Sequence, residues 1–308
     1  MVRSAQQAVV GRPAAAIHDL GYRRYVGTRR PQSTRWRVLV VNVVTSSWRG
    51  WWRMKAWAIA SAITAVSFGV AMTIARNQAL QPLTQRGMIK GLIDGLIPQS
   101  FRFFHWFAFL LASMTAAGAV ARDLRAGAFE FYFSRPVRPL DYTLGAVVGH
   151  ALVLSTALLA GPVLLSLYRV GLPLDVDEIL PALVLVPRVA LVGVLGSLAY
   201  ASVALAFSSL SSRPRVTIAM WAAFYLLFGG IADALAITLR AHSLAAINLP
   251  GAVLGAAFGL FQVNPSGFGT MIPGLKASLL SLLGYSAAGL VILQVRVKRA
   301  ERAGLGGG

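Results

Sequence analysis

Apolar runs long enough to cross a lipid bilayer recur along this chain, and they constrain its fold more than any other feature. The first, Trp57 to Ala75, would reach about 28 Å as a helix, close to the thickness of the hydrocarbon core. The chain is 56 % hydrophobic and 13 % charged, with a mean hydropathy of +0.66, which is too apolar for a soluble domain. We therefore predict an all-α, polytopic membrane protein with six transmembrane helices, at about 57–75, 103–121, 142–168, 179–207, 216–239 and 275–295.

A basic, polar tail at residues 1–35 precedes the membrane domain, residues 36–308. Trp36 to Lys55 is typical of an amphipathic elbow helix, because polar residues recur along one side while tryptophans such as Trp48 favour the headgroup level. We expect this helix, 36–55, to lie in the membrane interface. No apolar core precedes Val38, so we expect no cleavable secretory signal, although a mitochondrial transit peptide would share this composition.

Basic residues determine the expected orientation. With the N-terminus inside, the cytoplasmic segments carry 21 Lys and Arg and the opposite side carries seven, which predicts that both termini are cytoplasmic. A net charge of +19 can also indicate nucleic-acid binding. Here the arginines cluster at the ends of apolar runs and in the tail, not on one face of a domain, so we expect no nucleic-acid partner.

Two connecting segments on the opposite side are long. Residues 76–102 are polar and end in aromatic residues, which predicts a loop. In residues 240–273, the apolar run Ala252 to Phe261 is too short to cross the membrane. We expect it to form a short helix that dips into the outer leaflet or covers the mouth of a pore.

The segment Ala121 to Gly145 is charged and aromatic and lies between two long apolar runs. Asp123 to Phe133 has the apolar spacing of one amphipathic helix of about three turns. Pro136 should end that helix, and Asp141 can cap the next one, starting at Tyr142. A helix with both rings and charges, held between two membrane helices, suits contact with a soluble partner.

This segment resembles the first cytoplasmic loop of ABC exporter permeases of the second integral-membrane type, the ABC-2 permeases. The residues that match the family pattern are Asp123, Arg125, Gly127, Phe129, Glu130, Tyr132, Ser134, Arg135, Pro136, Asp141, Tyr142 and Gly145. In that family the loop is a coupling helix that sits on an ATPase subunit, so the resemblance implies that role for residues 122–138. The chain departs from the pattern at Ala146, where relatives often carry a lysine.

The resemblance also implies the partners of this chain. They are an ABC ATPase subunit that binds ATP and Mg²⁺, a second permease copy in a homodimer or heterodimer, and the lipid of a bacterial inner membrane. With Glu130 and Arg135 as polar contacts and the rings as the apolar part, the residues expected to dock the ATPase are Asp123, Arg125, Phe129, Glu130, Tyr132, Phe133 and Arg135. The alternative is that the rings only anchor an interfacial helix in lipid.

The chain lacks the residues of a nucleotide site. Its nearest approach to a phosphate-binding loop is Gly269 to Gly274, followed by Leu275-Lys276-Ala277 where lysine and serine or threonine are required. The four histidines have no second ligand at a metal-binding spacing. The absence of cysteine excludes disulfides and thiolate zinc sites. We therefore expect no cofactor on this chain, and ATP on a separate one.

Two charged residues fall inside predicted membrane helices, Arg188 in the fourth and Asp233 in the fifth. Arg188 could extend outward to meet Asp233, and three interpretations stay open. The two residues form an ion pair that locks neighbouring helices, they lie on a substrate path, or they never meet.

The sequence thus predicts the membrane subunit of an ATP-driven exporter, which forms the translocation path and performs no covalent chemistry. The main alternative is a membrane scaffold or anchor for a soluble partner. An intramembrane enzyme is disfavoured, because the ten acidic residues provide no paired carboxylates within the runs. A secondary transporter is disfavoured as well, because an inverted pair of broken, charged helices is missing.

Overall fold

The computed structural model describes residues 34–79, 86–134, 137–172, 177, 179–263 and 271–305. These residues are helical almost throughout and contain no β-strand. The helices are α1 (Arg35–Arg49), α2 (Trp51–Ala79), α3 (Arg86–Thr115), α4 (Ala119–Arg125), α5 (Ala128–Phe133), α6 (Pro139–Leu158), α7 (Ala160–Val170), α8 (Ile179–Ser208), α9 (Pro214–Ala223), α10 (Gly229–Thr238), α11 (Leu249–Phe261) and α12 (Leu275–Leu305). The all-α prediction is confirmed.

Six helical stretches of the described chain are long and apolar enough to cross a membrane, as predicted. They are Met54–Asn77, Ile93–Arg125, Pro139–Leu158, Ile179–Ser208, Pro214–Thr238 and Leu275–Ala303. The third predicted run, 142–168, is interrupted: α6 ends at Leu158 and α7 begins at Ala160. The fifth contains a π-helical turn, Phe224–Phe228, between α9 and α10. The number of membrane helices was therefore predictable, whereas their interruptions were not.

The expected elbow helix is shorter than predicted. α1 ends at Arg49 and Gly50 separates it from α2, so the helix does not continue to Lys55. α1 packs along α6, where glycines leave room for it: a Cβ on Gly145 would lie 2.6 Å from Cβ of Leu39, and one on Gly149 would lie 2.8 Å from Cβ of Val43. The bulky residues of α1 thus fill a groove made of glycines.

The prediction of a loop at residues 76–102 is wrong from Arg86 onward, because α3 begins there. Ile93, Ile97 and Phe101 recur every fourth residue and are at most 3 % exposed. This face packs among neighbouring helices and offsets the poor helix propensity of the glycines and of Pro98, which lies inside α3. The second membrane helix therefore starts about ten residues earlier than the sequence suggests, at Ile93.

The apolar run 252–261 does form a short helix, α11, and it is buried. It packs against α3, α8 and α12. Close contact with α12 depends on two glycines: a Cβ on Gly255 would lie 2.1 Å from Oγ of Ser278, and one on Gly259 would lie 2.6 Å from Cβ of Leu275. α11 is thus part of the core at one end of the bundle, which we name the α11 end. The opposite end, where α5 lies near the C-terminal part of α12, is the α5 end.

Candidate functional site

The residues expected to form one coupling helix form two short helices instead. α4 ends at Arg125 and α5 begins at Ala128. Between them Gly127 has φ +64°, in the left-handed region that a residue with a Cβ adopts only at a cost. The spacing of apolar residues over Asp123 to Phe133 resembled a continuous helix, but α4 continues the second membrane helix and α5 turns away from it. We call these two helices together the α4–α5 segment.

An aromatic cluster holds α5 in place. Phe129 is only 6 % exposed and stacks on Phe133, with ring centroids 5.6 Å apart and planes 5° from parallel. Its edge meets the ring of Tyr142 on α6 at 5.0 Å, and Tyr132 lies 5.6 Å from the same ring. Phe129, predicted to touch the ATPase, is therefore a core residue that fixes α5 against α6.

A partly buried hydrogen bond closes the base of the segment. The hydroxyl of Tyr142 donates to Oδ2 of Asp123 at 2.6 Å, which links the end of α4 to the beginning of α6. Burial, reinforced by the negative charge of Asp123, raises the pKa of Tyr132, so its hydroxyl stays neutral at physiological pH. Asp123 was predicted to face the partner; it is partly buried and serves the segment's own structure.

The first turn of α6 differs slightly from the prediction. The helix begins at Pro139, three residues before Tyr142, because proline at the first helical position loses no hydrogen bond. Asp141 lies in that turn, and its Oδ2 accepts a 3.1 Å bond from the backbone N–H of Arg138. The carboxylate thus caps the helix from the third position instead of preceding it.

The exposed face of the segment is small and mixed in character. Arg125 and Glu130 are exposed, and the ring of Phe131 is 56 % exposed. Phe131 was not among the predicted docking residues. Tyr132 and Phe133 are half-buried, and Arg135 lies outside the described residues.

Contacts with α8 and α12 tie the segment to the rest of the bundle. The backbone N–H of Ala121 donates to Oγ of Ser208 at 3.2 Å. Arg296 on α12 donates from Nε to the carbonyl of Ser209 at 3.0 Å and from Nη2 to that of Leu210 at 3.2 Å. α5 itself packs on α12. The α4–α5 segment is therefore in contact with α8 and α12 as well as with α6.

The structure does not bring Arg188 and Asp233 together. Arg188 lines a small cavity with Asp94 and Arg169, whereas Asp233 accepts a 2.7 Å hydrogen bond from Nδ2 of Asn248. Among the described residues no ion pair joins Arg188 to Asp233. The predicted pair is not formed, because the two residues face different neighbours, α3 and α7 in one case and the segment before α11 in the other.

A partly buried ion pair in the described part of the chain joins two other residues. Nε of Arg169 on α7 donates to Oδ1 of Asp94 on α3 at 2.8 Å, and Arg169 is 2 % exposed. Sequence reasoning missed it because both residues were assigned to loops. The apolar spacing of this segment could have revealed it. If residues 86–102 are assigned to a helix, Asp94 lies beside Ile93 and Ile97, at the edge of the buried face.

Among the described residues, no group of three His, Cys, Asp or Glu side chains lies close enough together to hold a metal ion. The two histidines inside the bundle have protein partners instead. Nδ1 of His105 lies 2.6 Å from the hydroxyl of Tyr225, and Nδ1 of His150 lies 2.8 Å from the carbonyl of Ala146.

Six apolar helical stretches, with α5 in the connection between the second and the third, define an integral membrane protein. Residues 62–249 match the family described as ABC-2 family transporter protein, and the chain belongs to this family. It is a membrane permease of an ABC transporter, in a family that is generally non-catalytic and works with an ABC ATPase. No curated protein matches the chain.

Proposed function

We propose that this chain forms the translocation path of an ABC exporter and that its α4–α5 segment docks the ATPase. The observation that carries the proposal is the different exposure of neighbouring residues on α5. Phe129 is buried and fixes the helix, while Glu130 and Phe131 point outward. An exposed ring beside an exposed charge, on a rigidly held helix, is typical of an interface anchor.

The position of the segment supports a coupling role. α4 continues the second membrane helix, and the bond from Tyr142 to Asp123 links it to the third. A displacement of α5 would therefore be transmitted to the second and the third membrane helix. In the proposed mechanism, closure of two ATPases moves the α4–α5 segments of two permease copies and alternately opens and closes the path between them.

The remaining assignments follow from the sequence and the family. ATP and Mg²⁺ are bound by the ATPase chains, and this chain binds no cofactor of its own. The second permease copy is either identical or a related chain. The excess of Lys and Arg at the α5 end supports a cytoplasmic position for this end and for both termini, and we propose the inner membrane of a bacterium as the location.

The test is co-purification of the tagged, detergent-solubilised chain from its native membrane, with ATP hydrolysis measured on the complex. Glu130→Lys should abolish ATPase association while the variant still inserts and elutes like the wild type. Glu301→Lys, a carboxylate on α12 outside the segment, is the matched control and should retain the ATPase. A well-folded wild type that captures no ATPase, or one that captures a partner without ATP hydrolysis, would favour the scaffold instead.

A further inference from the structure

A cavity of about 630 Å³ lies at the α11 end of the bundle, away from the α4–α5 segment. It is enclosed by α3, the π-helical turn, α10, α11 and the residues that precede α12. Its volume is within the range of small-molecule sites, about 300 to 1,000 Å³. Nothing in the docking role of the α5 end requires it.

Two opposite charges line this cavity. Arg102 comes from α3 and Asp233 from α10. Asp233 receives a hydrogen bond from the neutral amide of Asn248, and among the described residues it forms no ion pair. The carboxylate is therefore held in orientation by Asn248 without being neutralised. A carboxylate in such an apolar setting favours a ligand that brings a positive charge.

Aromatic groups form one wall. Trp106 and Tyr225 have ring centroids 5.7 Å apart in an edge-to-face arrangement, and both line the cavity. The Tyr225 hydroxyl lies 2.6 Å from Nδ1 of His105 and accepts a 3.3 Å hydrogen bond from Tyr200. The π-helical turn that carries Tyr225 is a feature often found at functional sites. The wall is thus fixed before any ligand arrives.

The mouth of the cavity is apolar and exposed. Trp106 is 44 % exposed, Leu226 48 % and Ile237 62 %, and all three belong to membrane-length helices. These side chains would lie against lipid tails. A ligand with an apolar body can therefore enter sideways, from the membrane, with its polar group reaching Asp233 and Arg102 inside.

The charges select among ligand classes. A simple cation would meet Arg102 as well as Asp233, and a simple anion would meet Asp233. An uncharged apolar molecule would displace water from the Asp233 carboxylate without compensating its charge, which costs free energy. A headgroup with both signs presents an opposite charge to each of these two side chains.

We propose that this cavity binds a zwitterionic amphiphile, with its ammonium at Asp233, its phosphate or carboxylate at Arg102 and its apolar body between Trp106 and Ile237. The assignment of this cavity as the substrate site of a transporter rests on the permease function proposed above. Binding itself involves only this chain, so it is measured without an ATPase, and loss of docking through Glu130→Lys leaves it unchanged.

The experiment is equilibrium binding of radiolabelled lysophosphatidylethanolamine to the purified, detergent-solubilised chain. Lysophosphatidylglycerol of the same acyl length, which lacks the ammonium, should bind about tenfold more weakly or worse. Asp233→Asn keeps an oxygen for Asn248 but removes the charge, and should abolish this difference. Glycerophosphoethanolamine, the headgroup without an acyl chain, tests the apolar body and should not compete at matched concentration.

A steric variant makes the test independent of the charged residues. Gly230 lines the cavity, and a Cβ there would meet no atom within 4 Å, so Gly230→Leu should narrow the cavity without disturbing the fold and should weaken binding about tenfold or more. Gly284→Leu, at an equally open glycine on α12 outside the cavity, is the control and should bind like the wild type. Equal binding of both lysolipids, unchanged binding in Gly230→Leu, or full competition by the free headgroup would overturn the proposal.

Discussion

The hydroxyl of Tyr142, in the first helix turns of α6, donates a 2.6 Å hydrogen bond to Oδ2 of Asp123, near the end of α4, although 19 positions separate them in the chain. The two residues close the α4–α5 segment at its base. α5, which lies between them in the chain, is held against α6 through the buried ring of Phe129.

Tyr142→Phe should therefore lower the free energy of unfolding by about 1 to 3 kcal/mol, because the partly buried Asp123 carboxylate loses its donor. The measurement is thermal melting of the detergent-solubilised protein, followed by tryptophan fluorescence. Tyr132→Phe is the control, since the Tyr132 hydroxyl makes no hydrogen bond with the described residues, and it should melt like the wild type. Equal melting temperatures for all three proteins would contradict this role of the bond.

Two neighbouring phenylalanines on α5 should separate stability from docking. Phe129→Ala removes a ring that is 6 % exposed and should cost about 3 to 5 kcal/mol of unfolding free energy. Phe131→Ala removes a ring that is 56 % exposed and should leave melting nearly unchanged while it weakens ATPase affinity about tenfold. Melting curves measure the change in stability, and a titration with the ATPase measures the change in affinity. If Phe131→Ala bound the ATPase normally, the exposed ring would not be part of the interface.

The partly buried ion pair of Arg169 and Asp94 predicts asymmetric costs. Asp94→Asn removes the carboxylate charge that Nε of the 2 % exposed Arg169 contacts, and should lower stability by about 3 kcal/mol. The double variant Asp94→Leu with Arg169→Leu should recover most of this loss, because neither charge then stays buried alone. Arg188→Gln, in the same cavity but without an ion pair to any described residue, is the control and should change melting little. A double variant as unstable as Asp94→Asn, or less stable, would show that the two charges are not coupled.

Two glycines of α12 should respond in opposite ways to alanine. A Cβ on Gly289 would lie 2.6 Å from the backbone carbon of Ser202 on α8, and backbone cannot move aside as a flexible side chain can. Gly289→Ala should therefore separate α8 from α12 and reduce the yield of folded protein, with a cost of about 1 to 3 kcal/mol. On the same helix Gly284 meets nothing within 4 Å, so Gly284→Ala should be neutral or slightly stabilising. Size-exclusion profiles and melting temperatures compare the two, and equal tolerance would argue against close α8 to α12 packing.

The sequence alone determined the class of fold. Long apolar runs admit few structures in a bilayer, because every backbone polar group must be satisfied within the segment, and the six membrane helices follow directly. The segment 121–145 also identified the family, which the match over residues 62–249 confirmed. These properties depend on composition and local order, and both can be read along the chain.

Only the tertiary structure decided which residues meet. Local spacing could not show that Gly127 breaks the coupling helix, that Phe129 turns inward while Phe131 stays exposed, or that Asp94 pairs with Arg169. Nor could it show that Arg188 and Asp233 face different neighbours. Each outcome depends on residues distant in the chain: a charge takes the partner that packing brings within reach, and a ring is buried only where a neighbouring helix covers it.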